Sequence, residues 1–108
     1  MTETEFNDLI DDILMAIEDQ LDDYDTDIDC ETHAGILTLI MPNSSQIIIN
    51  RQRPTQQLWL AAKSGGFHFE LDAASNSWLD TRSGDNFVDS LNRCLKEQTG
   101  EDYKISLD

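Results

Sequence analysis

Gln46-Ile47-Ile48-Ile49-Asn50-Arg51, Pro54, Gln57-Leu58-Trp59-Leu60-Ala61-Ala62, Gly65-Gly66 and Phe67-His68-Phe69-Glu70-Leu71 follow one another without a helical period between them. Each apolar run is four to six residues long, rich in Ile, Leu, Trp and Phe, and bounded by Pro, Gly or polar residues. That is the pattern of short strands joined by tight turns. On the N-terminal side, Ile36 to Met41 reads as a further strand, closed by Pro42-Asn43-Ser44-Ser45 and opened by a turn at His33-Ala34-Gly35. Thr26 to Thr32 alternates with a period of two, Ile28 and Cys30 on one side and Asp27, Asp29 and Glu31 on the other. On the C-terminal side the expected turn is Gly65-Gly66, and a polar loop at Ala73 to Ser77 precedes a short strand at Trp78-Leu79. Six short strands with such brief connections predict an antiparallel meander, because parallel strands need crossovers of a dozen residues or more.

The sequence outside the meander is helical. Over residues 4–24, Phe6, Ile10, Ile13, Ile17, Leu21 and Tyr24 recur at spacings of three and four, giving one core-facing stripe. Thr4 is the expected cap, with Glu5 in the first turn. Residues 84–98 carry Phe87, Val88, Leu91, Cys94 and Leu95 on one face, and Gly100 is placed to stop that helix. Tyr103, Ile105 and Leu107 alternate in a tail expected to lie extended against the helices. The expected fold is therefore α+β, a two-layer sandwich with two helices on one face of a roughly six-stranded antiparallel sheet. Its order is helix, six strands, helix, in one domain over residues 1–108.

Such a sheet leaves its second face open. If Leu58 and Leu60 face the helices, Gln57, Trp59 and Ala61 face outward; the preceding strand sets Ile48 and Asn50 on one face and Ile47 and Ile49 on the other, so isoleucine is expected on the open face too. Trp59, flanked by Asn50, Gln57 and Arg51, has the composition of an interface anchor. His33 and His68 look isolated and are expected to be structural or surface residues.

The charge is the second feature that needs an account. Residues 1–31 contain thirteen carboxylates and no Lys or Arg, and the first basic residue of the chain is Arg51. On a helical wheel Asp8, Asp11, Asp12, Glu18, Asp19, Asp22 and Asp23 share the face opposite the apolar stripe. Like-charge pairs such as Asp8–Asp11, Asp8–Asp12, Glu18–Asp22, Asp19–Asp22 and Asp19–Asp23 cost about 1–2.5 kcal/mol together. That is a noticeable share of the roughly 5–15 kcal/mol that holds a small domain together. Solubility alone is served better by interspersed signs. The unmixed ridge therefore points to a ligand.

Carboxylates in this density suit hard cations, which prefer oxygen donors: Fe²⁺, Fe³⁺ or other divalent ions. Candidate ligands are Asp11, Glu18, Asp19, Asp22, Asp23, Asp25, Asp27, Asp29 and Glu31. Spread over an exposed helix face and an adjoining strand, they predict weak, multiple surface sites. Asp25-x-Asp27-x-Asp29 is not an EF-hand, since Cys30 stands where Gly is needed and Ile36 where the bidentate Glu belongs. A buried di-iron site is excluded by the lack of a Glu-x-x-His pair. The net charge of −15 excludes nucleic acid as a direct ligand and disfavours anionic membrane surfaces. It invites cations or a protein with a basic face. No phosphate loop, nucleophile elbow or Cys/His signature marks an enzyme. Cys30 and Cys94 read as reduced, buried thiols. With no signal segment and no apolar run near 18 residues, a soluble cytoplasmic protein is expected.

The stretch from Ile49-Asn50-Arg51 through Pro54, Gln57-Leu58-Trp59-Leu60-Ala61 to Gly65-Gly66-Phe67-His68-Phe69 resembles the frataxin signature. The acidic Leu21-Asp22-Asp23-Tyr24-Asp25 and Asp27-Ile28-Asp29-Cys30-Glu31 segments resemble the bacterial, CyaY-type branch of that family. The resemblance runs over essentially the whole chain. It implies an α/β sandwich and a non-enzymatic, iron-binding protein of iron–sulfur cluster assembly. Its implied partners are a cysteine desulfurase, met through a basic patch, and the iron–sulfur scaffold protein. Glu18, Asp19, Asp22, Asp23, Asp25, Asp29 and Glu31 match the family's ridge, and Asn50, Gln57 and Trp59 its sheet-face positions. Asp22 and Asp23 are expected to serve partner binding as well as metal. A monomer is expected without iron. Two alternatives stand beside this reading: an acidic mimic of nucleic acid that inhibits a basic protein, and an iron-storage or ferroxidase protein.

Overall fold

The computed structural model describes residues 1–107; Asp108, the last residue of the expected domain, lies outside them. Helix α1 spans Glu3–Asp23 and starts one turn-position earlier than the sequence reading placed it. The cap is Thr2, not Thr4: Glu5 N–H donates to Thr2 Oγ1 at 3.1 Å and Thr2 N–H to Glu5 Oε1 at 2.9 Å. This reciprocal box needs a carboxylate three residues after the cap. Thr2 has Glu5 there, whereas Thr4 has Asn7. The buried face of α1 is Phe6, Ile10, Ile13, Leu14, Ile17 and Leu21. Leu14 widens the expected stripe, and Tyr24, the C-cap, is only partly buried against it.

The strands are β1 (Asp29–His33), β2 (Ile36–Ile40), β3 (Gln46–Gln52), β4 (Gln57–Ala62), β5 (Gly65–Asp72) and β6 (Ser77–Asp80). They form one antiparallel sheet in the order of the chain, so β1 and β6 are its edges. β1 begins at Asp29, later than the alternation of Thr26 to Thr32 suggested. Its first partner is Ile40, the last residue of β2. Beyond Ile40 the chain leaves the sheet in a turn, with Met41 N–H donating to Ser45 O at 2.8 Å, so residues 26–28 have no strand to pair with. The β1–β2 connection is a two-residue turn at Ala34 and Gly35, both with positive φ (52° and 75°). That conformation matches the strand twist and favours glycine.

The β4–β5 turn corrects the sequence reading. Ala62 pairs with Gly65, so the turn is Lys63-Ser64 and both glycines already belong to β5. Helix α2 spans Phe87–Thr99. It starts later than residue 84 because Asn86 is its cap, accepting a hydrogen bond from Val88 N–H at 2.8 Å. Gly100 ends it in the left-handed conformation, φ 78°, donating to Lys96 O at 2.7 Å, as expected.

Both helices cover the same sheet face. Leu37, Leu39, Ile47, Ile49, Leu58, Leu60 and Phe69 from the sheet join Phe87, Leu91, Cys94 and Leu95 of α2 and the α1 stripe in one buried cluster. Phe69 meets Phe87 edge-on at 5.2 Å. Tyr103 and Ile105 of the tail complete the cluster. The tail is held extended, with Asn92 donating to Ile105 O at 3.1 Å and accepting from Ile105 N–H at 3.0 Å. Because alternate residues of each strand enter this cluster, the intervening ones are left on the opposite, uncovered face. The α+β sandwich of two helices and six antiparallel strands is as expected.

Candidate metal-binding ridge and docking face

The ridge begins on the outer face of α1. Asp11, Asp19, Asp22 and Asp23 are exposed there, and Glu18 is half-buried. The chain then passes through Asp25 and Asp27, both exposed in the connection, to Asp29 and Glu31, exposed on the edge strand β1. Two of the nine candidate ligands have protein partners. Asp11 Oδ1 accepts from Arg51 Nη2 at 2.6 Å, and Glu18 accepts from the Thr32 hydroxyl, tying α1 to β1. Among the described residues no Lys or Arg pairs with Asp19, Asp22, Asp23, Asp25, Asp27, Asp29 or Glu31.

Cys30 reports how closely the two parts of the ridge approach. Its thiol is pushed up to about 11, first by burial and then by the carboxylates of Glu18, Asp22 and Asp29. It is half-buried rather than buried, while Cys94 is fully covered. Cys30 and Thr32 point to the helix side of β1, so Asp29 and Glu31 turn away from Glu18 and Asp22 onto the open sheet face. The carboxylates therefore wrap around the β1 edge. Among the described residues no three His, Cys, Asp or Glu side chains converge into a preformed metal cluster. What the ridge offers a cation is field and open oxygen ligands, with water completing the shell.

The open face has a different chemistry. Cross-strand pairs align Asn50 with Trp59 and His68, Ile48 with Ala61 and Gly66, and Gln52 with Gln57 and Glu70. Across β3, β4 and β5 the carboxylates on this face are Glu70 and Asp72, both toward the C-terminal end of β5. Trp59 is held by two neighbours, one of them anchored in turn by Glu70. Its Nε1–H donates to Gln57 Oε1 at 2.9 Å, Gln57 Nε2 donates to Glu70 Oε2 at 3.1 Å, and the His68 ring stacks on the indole at 4.1 Å and 10°. An aromatic group held this way loses little freedom on binding, which favours its use as an anchor.

Two expectations about this face change. His68 is not isolated, since it is the stacking partner of Trp59. A turn at Gly65-Gly66 would have set Trp59 opposite Asp72; the turn at Lys63-Ser64 sets it opposite His68. Arg51 does not flank Trp59. It pairs with Leu58 in β4 and points to the covered face, its side chain 6% exposed. There it reaches Asp11, Gly35 O at 3.1 Å, and the backbone and side-chain oxygens of Asn7 at 3.3 Å. The first cation of the chain is thus spent in clamping α1 to the β1–β2 turn. Asn50, Gln57 and Trp59 do share the open face, half-buried.

The Frataxin-like domain family matches residues 1–101. The chain belongs to the frataxin family. It is 47% identical over 105 residues to the iron–sulfur cluster assembly protein CyaY of Azotobacter vinelandii, covering 97% of this chain and 96% of that one. The frataxin of Psychromonas ingrahamii superimposes with a TM-score of 0.90 at 33% identity, over 99% of this chain and all of that one. Trimeric frataxin from Saccharomyces cerevisiae, complexed with ferrous iron, gives a TM-score of 0.70 at 28% identity, over 94% and 88% of the two chains. Among the described residues no helix is long and apolar enough to cross a membrane.

Proposed function

We propose that this chain is an iron-binding, non-catalytic protein of iron–sulfur cluster assembly that acts on a cysteine desulfurase and its scaffold protein. The observation that carries this reading is the segregation of charge. One side of the fold holds carboxylates of which, among the described residues, only Asp11 meets a cation, the covered Arg51, and the adjoining sheet face is nearly uncharged around a fixed Trp59. Membership of the frataxin family, the cluster-assembly name of the Azotobacter relative and the ferrous complex of the yeast relative all support it.

In this reading Asp19, Asp22, Asp23, Asp25, Asp27, Asp29 and Glu31, with Glu18 at the margin, take Fe²⁺ at several weak, open sites. Other divalent cations compete there. Asp11 contributes field rather than ligation, because Arg51 already holds it. Open oxygen sites exchange their ion readily, as delivery or sensing of iron requires. The same ridge, chiefly Asp22 and Asp23, meets a basic patch on the desulfurase, while Asn50, Gln57 and Trp59 dock a second surface. The protein works in the cytoplasm and is a monomer without iron. Nothing in the ridge performs covalent chemistry. Its effect on the desulfurase is a change of rate through binding.

The test is the affinity for the desulfurase, measured by interferometry as a function of salt, for the native chain and for Asp22→Lys/Asp23→Lys. Affinity that falls steeply with salt, and is lost on charge reversal, is the expected result, since exposed charges are screened over roughly 8–10 Å at physiological ionic strength. Unchanged affinity in the variant would overturn the reading.

A further inference from the structure

On the open sheet face, beside Trp59, lies a hollow of about 170 Å³ bordered by Ile48, Asn50, Trp59, Ala61, Gly66 and His68. Its floor exists because two adjacent strands carry the smallest side chains there, Ala61 and Gly66, directly paired across β4 and β5. Gly66 is the informative residue. It sits inside a strand, where glycine is unfavourable, and it does not adopt the left-handed backbone that would require it. A Cβ built on it meets nothing within 4 Å. Neither conformation nor internal packing explains the missing side chain. What it does is keep the hollow open. A strand glycine marks a bulge, a tight bend or a place where a ligand or another backbone approaches closely, and the β4–β5 register runs unbroken past Gly66, with no bulge.

We propose that this hollow is a socket for one branched aliphatic or aromatic side chain projecting from a protein partner whose surrounding surface is basic. The proposal rests on the docking role given above to the sheet face. Size argues for a single side chain: an apolar cavity of about 150 Å³ takes up one benzene molecule, whereas drug-sized ligands need roughly 300–1,000 Å³. Charge argues for the partner. The socket is neutral, but its surroundings on the same face carry Asp29 and Glu31 on one edge and Glu70 on the other side. A second copy of a chain with net charge −15 would repel this one there. Trp59, already fixed by Gln57 and His68, forms a rigid wall that needs no rearrangement to receive the group.

Filling the socket tests it. Gly66→Leu is compatible with the backbone, and Ala61→Leu, at an exposed position on the neighbouring strand, fills the same space if the first variant fails to fold. Binding is measured to the cysteine desulfurase with its scaffold protein, with Asp22→Lys/Asp23→Lys in parallel and the oligomeric state followed by sedimentation. The expected result is a folded variant whose binding is weaker by roughly thirtyfold or more, the loss typical of removing one anchor contact. A folded socket variant that binds like the native chain, while the charge reversal abolishes binding, would overturn the socket and leave the ridge reading intact. Native binding by both would overturn both. A native dimer that Gly66→Leu dissociates would also overturn it, by making a second copy the occupant.

Discussion

Asp22→Lys should make the fold more stable while making the protein less able to do its work. In α1, Asp22 has Glu18 four residues before it and Asp19 three before, and the last turn contains no basic residue. Reversing its charge converts two repulsive neighbours into attractive ones, with Glu18 N-terminal to the new cation, the better orientation. At about 0.2–0.5 kcal/mol per pair in each direction, the swing is about 0.8–2 kcal/mol. A cation near the helix C-terminus adds about 0.3–1 kcal/mol. The total is about 1–3 kcal/mol, or roughly 5–15 °C in Tm for a domain of this size. The assay is thermal unfolding by circular dichroism at low salt and again at about 0.5 M salt, where screening should remove much of the gain. In parallel, Fe²⁺ binding and desulfurase binding should weaken. A variant with native circular dichroism and an unchanged or lowered Tm would refute the reasoning, because the ridge would then carry no stored repulsion for function to explain.

Four further outcomes follow from the same contacts. Arg51→Ala removes a covered guanidinium that joins Asp11, Asn7 and Gly35, and should cost about 2–4 kcal/mol in chemical denaturation, where a loss under about 0.5 would contradict the clamp. Gly35→Ala should cost about 1–2 kcal/mol by the same measurement, since φ is 75° there and its Cβ would press on Arg51 Nη2 at 3.2 Å. Cys30, at about 11 against an ordinary 9.0, should alkylate at pH 8 about a hundredfold more slowly than a free cysteine, and faster in Asp22→Lys. Because its folded value lies above the unfolded one, Cys30 favours the native state below pH ~9, and that contribution fades as pH rises toward 11. Trp59→Ala should leave unfolding cooperative but weaken partner binding by tenfold or more in the assay used for the ridge variants.

The parts of this fold that were legible in the sequence are those where period and burial coincide. Phe6, Ile10, Ile13, Ile17 and Leu21 could be read as a helix face because one neighbour, the sheet, covers them all. Leu58 and Leu60 against Trp59 could be read as opposite faces because a strand alternates whatever its neighbours are. The ridge was legible as charge. Its arrangement was not, because whether Glu18 meets Thr32 depends on how α1 lies along β1. The errors share a cause. Thr4 and Gly65-Gly66 are good residues for a cap and a turn, but Thr2 and Lys63-Ser64 won through interactions with residues further along: the Glu5 carboxylate in one case, the whole β4–β5 register in the other. The two-residue difference in that turn hid the Trp59–His68 stack. Arg51 has the sequence signature of a surface residue, a charged side chain beside Asn50. Its partner Asp11 lies 40 positions away, and no local pattern announces such a pair.

The most direct test of the central claim is the sulfide production rate of the cognate cysteine desulfurase with its scaffold protein, measured anaerobically while this chain is titrated with and without Fe²⁺. The account predicts a rate that changes with dose, changes more when Fe²⁺ is present, and stays at its starting value with Asp22→Lys/Asp23→Lys. A flat response to the native chain in both conditions would contradict it.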